Sequence, residues 1–94
     1  MNFRDDLSAE AFLEDVRNEL ELAVAQYPNP NPTLATLTEQ VGQLSEALLQ
    51  IRDGVSNDWF VVWFEAKQVA VMAARCAIEG DPTVGAVPTS ANSK

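Results

Sequence analysis

The sequence contains no histidine, and its one cysteine, Cys76, has no second thiol to pair with. Without histidine, neither a Cys-His nor a Ser-His-Asp nucleophile can be built, and no zinc can be held through imidazole. A lone thiol closes no internal disulfide, which points to a reducing compartment such as the cytoplasm. Among Ala73, Ala74 and Ala77, Cys76 reads as a small core residue. Basic side chains are scarce as well: six Lys and Arg face fourteen Asp and Glu, for a net charge of -8. The six are scattered along the chain, so no broad basic surface is available for nucleic acid. Long apolar runs are also missing. The longest, Trp59 to Phe64, is far too short to span a bilayer. Arg4, Asp5 and Asp6 lead into no apolar core of the kind a secretory signal needs.

What is present is apolar side chain at helical spacing. Ninety-four residues form one domain, yet 47% of them are hydrophobic. From Leu34 to Arg52, the apolar residues Leu34, Leu37, Val41, Leu44, Leu48 and Ile51 recur every three or four positions. That spacing predicts a helix with an apolar seam and a polar face of Glu39, Gln43, Glu46 and Gln50. A second helix is predicted from about Asn57 to Glu79. It is apolar nearly all round, apart from a stripe of Glu65, Gln68, Met72, Arg75 and Glu79. Trp59 to Phe64 has high strand propensity, but the Ala- and Met-rich stretch that continues it favours helix.

Upstream, Ser8 is a plausible N-cap for a helix running to about Gln26, with its apolar positions at helical spacing. Seven acids between Asp5 and Glu21 read as its solvated face. Tyr27 either closes its apolar side or presents a ring at the helix end. Pro28, Pro30 and Pro32 stop this helix with a stiff connection, after which Thr33 or Asn31 caps the next. Gly54 ends that helix in the left-handed conformation, and Ser56 or Asn57 caps the last one. Gly80-Asp81-Pro82 ends the set. Thr83 to Lys94 carries too little apolar surface to hold itself down and is expected to be disordered or loosely draped. The fold class is all-α, a three-helix protomer. Its surplus of apolar surface predicts self-association into helical bundles, as a homodimer or homotetramer.

Glu39 and Glu65 are the carboxylates that matter most for chemistry. An antiparallel helix pair brings their stripes together, and one or two carboxylates with waters and substrate phosphates suffice for magnesium. Alternatively, Glu39 is a surface acid and Glu65 is paired with Lys67, Arg75 or a subunit partner.

The stretch Leu37-Thr38-Glu39-Gln40-Val41-Gly42-Gln43-Leu44 resembles the first motif of the MazG-like, all-α nucleotide pyrophosphohydrolases. That motif reads Leu-x-Glu-Glu-x-Gly-Glu-Leu. Glu65-Ala66-Lys67-Gln68 resembles the second motif, a glutamate followed three residues later by an aspartate. Asn31-Pro32-Thr33-Leu34 and Glu79-Gly80-Asp81-Pro82 match small phage and bacterial members. The resemblance spans roughly Val16 to Pro82 and implies a helical domain of residues 1–82. It implies cleavage of nucleoside triphosphates to monophosphate and pyrophosphate, with magnesium at Glu39 and Glu65 as catalytic acids. Gln43 and Gln68 would complete the shell, and Lys67 or Arg75 would meet a phosphate. Gln40, Gln43 and Gln68 stand where the family carries acids, and three lost charges weaken a magnesium site. Two other functions therefore stay open: a non-catalytic module for a nucleotide or related phosphorylated ligand, and a purely structural helical oligomer. No membrane or nucleic-acid partner is expected.

Overall fold

A computed structural model describes residues 8–28 and 33–88. The described chain is three helices, α1 Ala9–Gln26, α2 Thr33–Arg52 and α3 Trp59–Glu79, followed by a 3-10 turn at Pro82–Val84. Helix α3 lies in the middle, with α2 packed along one side and α1 along another.

Local chemistry sets the ends. The Ser8 hydroxyl accepts the Ala11 N–H at 3.1 Å, the N-cap expected of it. At α3 the cap is Asp58, one residue past the expected positions. Its carboxylate accepts the Phe60 N–H at 3.0 Å, while the Ser56 hydroxyl accepts the N–H of Asp58 itself. An acid at this place also meets the positive end of the helix dipole. Gly54, at φ 74°, closes α2 as expected. The prolines at 30 and 32 and the alternative cap Asn31 lie outside the described residues.

Three side chains of α3, Trp63, Lys67 and Arg75, make polar contacts to α1 and its C-cap. The Trp63 indole N–H donates to Asp15 at 2.8 Å, and the Phe12 ring meets Trp63 edge-on at 5.1 Å. The Lys67 ammonium lies 3.5 Å from Asp15 and 3.7 Å from Glu19. Arg75, only 1% exposed, donates to both carboxylate oxygens of Glu79 and to the backbone carbonyls of Ala23 and Tyr27. The Tyr27 carbonyl belongs to the C-cap residue of α1, beyond the last helical turn, while the Ala23 carbonyl also accepts the Tyr27 N–H at 2.8 Å. A buried guanidinium thus caps α1 from across the interface.

The start of α2 is tied to the end of α3. The Thr33 hydroxyl donates to the Gly80 carbonyl at 3.0 Å, and Asp81 accepts the Leu34 N–H at 2.8 Å. The other oxygen of Asp81 takes the backbone N–H and the hydroxyl of Thr83. The turn closes through paired backbone bonds between Asp81 and Ala86. Gly80 has φ 71°, and a Cβ there would stand 2.3 Å from the Ala86 carbonyl oxygen, so only glycine fits. Residues 83–88, expected as the start of a loose tail, therefore carry a defined turn, while 89–94 lie outside the described residues.

Among the described residues, the buried apolar side chains are only Ala47, Val62 and Val71. No described helix is long and apolar enough to cross a membrane.

Candidate functional site

Glu65 of the α3 stripe meets Gln43, Glu46 and Gln50 of the α2 stripe beside the seam of the two helices. Gln43, Glu46, Ala47 and Gln50 from α2, with Val61 and Glu65 from α3, line a shallow groove of ≈ 190 Å³. Ligand pockets usually enclose about 300–1,000 Å³, so this groove is smaller than a usual small-molecule site.

Glu65 is half-buried on the floor of this groove, and its Oε1 is shielded from water with no hydrogen-bond partner. Lys67 and Arg75, the cations expected as its alternative partners, are committed to α1-side acids and to Glu79. The Oε1 of Gln40, half-buried on α2, is likewise shielded and unpartnered. Both open atoms are acceptors. A buried acceptor left unpaired costs about 1–3 kcal/mol, and more when charged, so each position calls for a donor or a cation.

The expected site residues are thus divided. Gln43 and Glu65 share the groove. Glu39 stands one turn before Gln43 on α2, exposed and outside the groove lining. Gln68 is half-buried on α3, one turn beyond Glu65. Lys67 is turned to α1, with its ammonium also 5.4 Å above the Phe64 ring. Arg75 is buried and has its donors engaged within the fold.

Among the described residues no three His, Cys, Asp or Glu side chains gather as a ready cage for an ion. The groove offers oxygen donors only: one carboxylate at its floor, a second at Glu46, and amides. Such a set suits a hard cation that brings phosphates and waters with it. It fits magnesium carried by a nucleotide better than magnesium held by the protein alone.

Asp81 was not singled out from the sequence, although it joins α2 to α3. A signal was available: α2 has no acid in its own first turn, and an acid follows the closing glycine of α3. The Thr83 hydroxyl and then the Leu34 N–H hold the Asp81 carboxyl below its ordinary value of 3.8, against the opposing pull of burial.

No protein-family model, curated protein or solved structure matches the chain.

Proposed function

We propose that this chain is a cytoplasmic, self-associating protomer of the MazG-like type that binds a magnesium nucleoside triphosphate at the α2–α3 groove. One observation carries the reading: the desolvated, unpaired carboxylate oxygen of Glu65 beside Gln43. A protein that only needed to pack two helices would gain stability from an apolar residue at that position. Glu65 would hold the ion or one of its waters, with Glu39, exposed one turn before Gln43 on α2, as a second acid toward it. The Gln43 amide would give a hydrogen bond without adding charge against the phosphates. When bound, magnesium polarises the phosphoanhydride and activates a water.

Cleavage to monophosphate and pyrophosphate is the activity that the resemblance implies, and at this groove it would be slow or absent. Gln40, Gln43 and Gln68 supply none of the charge that the resembling motifs carry at those places. The test is pyrophosphate release from a panel of ribo- and deoxynucleoside triphosphates with magnesium, beside Glu65→Gln. Slow release that disappears in the variant supports cleavage. Binding without release would make the chain a nucleotide-binding module on the same fold. Release unchanged in Glu65→Gln would remove the groove from the account.

A further inference from the structure

The α2–α3 groove carries a charge that the described chain does not balance. Glu46 and Glu65 are its two acids, and Ala47 and Val61 form the apolar part of its lining. The described cations are placed elsewhere. Lys67 pairs with Asp15 and Glu19, Arg75 with Glu79, and Arg52 with Asp53. Arg17 stands on α1. The Gln50 amide donates to Glu46 at 3.5 Å, a long bond from a neutral group.

Glu65 is the second observation. One of its oxygens is shielded from water and accepts no hydrogen bond. A carboxylate so short of solvation holds a cation more firmly than an exposed acid does. The terminal torsion of a glutamate is broad and two-fold, so either oxygen can be turned to the groove. The net charge of -8 raises the local concentration of any cation.

We propose that the groove binds a primary alkylammonium ion, its nitrogen toward Glu65 and Glu46 and its hydrocarbon stem against Val61 and Ala47. An ammonium brings three donors and no acceptor, which complements two carboxylates and the Gln43 carbonyl. Val61 and Ala47 offer a bare metal ion nothing, whereas they suit a methylene stem. The groove, at ≈ 190 Å³, is small for a whole cofactor and matches an amine head with a short stem. This inference shares Glu65 with the nucleotide reading but needs neither magnesium nor phosphate.

The test is a nuclear magnetic resonance titration of the isotopically labelled full chain, with divalent ions removed by chelator. The probes are n-butylammonium and tetramethylammonium chlorides at equal ionic strength. Butylammonium is expected to shift the side-chain amide signals of Gln43 and Gln50 to saturation. Tetramethylammonium, with the same charge and no N–H, leaves them in place. Glu65→Gln weakens butylammonium binding about tenfold, the worth of one charge-assisted hydrogen bond, while keeping its helical circular dichroism. Val61→Ser weakens it about threefold and leaves methylammonium binding unchanged, because only the longer stem reaches the valine. A lysine side chain carries the same head. Tighter binding of Nα-acetyl-lysine methylamide than of butylammonium assigns the groove to a lysine of a partner protein, and the reverse order to a free amine. Equal shifts with tetramethylammonium, or undiminished binding in Glu65→Gln, overturn the inference. That failure leaves the nucleotide reading standing, since no nucleotide is present. Amine binding by a chain that binds no magnesium nucleotide supports the inference and removes that reading.

Discussion

At the scale of single residues, Glu65 leaves a shielded carboxylate oxygen at the α2–α3 groove. Its shielded oxygen is satisfied by nothing in the fold. Glu65→Met is therefore expected to raise unfolding free energy by roughly 1 kcal/mol, the low end of the usual cost of an unpaired buried group. In a domain this small that corresponds to about 4–8 °C in melting temperature. The same variant is expected to lose nucleotide binding. A melting temperature that falls would mean that Glu65 has a stabilising partner after all.

Asp81 shows the opposite arrangement, a carboxylate with every oxygen engaged. Its folded pKa lies below the unfolded 3.8, so the folded state releases this proton more readily than the unfolded chain. The resulting stability is fully present above the unfolded value and is lost as pH falls through the lower folded value. Denaturant titrations between neutral pH and the acid side of 3.8 should show that loss in the wild type. Asp81→Asn should start less stable and lack this part of the acid-side slope. Equal slopes would contradict the α2 cap assigned to Asp81.

At the scale of elements, the three helices were legible because proline and glycine punctuate them and because apolar residues recur at helical spacing. Their bounds fall within about two residues of expectation, an ordinary margin for helix ends. What periodicity does not say is which neighbour takes which part of a face. The seam of α2 is split: Leu37, Leu44 and Ile51 are half-buried, whereas Leu34, Val41 and Leu48 stay open. The stripe of α3 divides in the same way. Glu65 turns to the groove with α2, while Arg75 turns to the end of α1, which is fifty residues away along the chain and invisible to local spacing. Lys67 follows Arg75 to the α1 side for the same reason.

Arg75 is the clearest test at this scale. Arg75→Met leaves Glu79 without its cation and uncaps the last carbonyls of α1. Breaking a buried pair in this way typically costs about 3–5 kcal/mol. A urea midpoint lowered in proportion, with α1 amides losing their exchange protection first, is the expected result. A change under ~1 kcal/mol, the value of an exposed pair, would mean that α1 is held by other contacts.

At the scale of the whole molecule, the core is small for the apolar content of the chain. Among the described residues, sixteen large apolar side chains stay at least 41% exposed, more than scattered surface residues explain. The candidate site was only partly legible in sequence. Glu65 and Gln43 were singled out and do share the groove. Gln40 was noted as a lost charge, and its shielded oxygen emerged only when the helices were packed.

The most direct measurement is calorimetric titration of the chain with a non-hydrolysable nucleoside triphosphate analogue, with magnesium and again with excess chelator. The account predicts binding that needs magnesium, weakens at least tenfold in Glu65→Gln, and weakens less in Glu39→Gln. Absence of binding by the folded wild type, or binding indifferent to both Glu65 and magnesium, would contradict it.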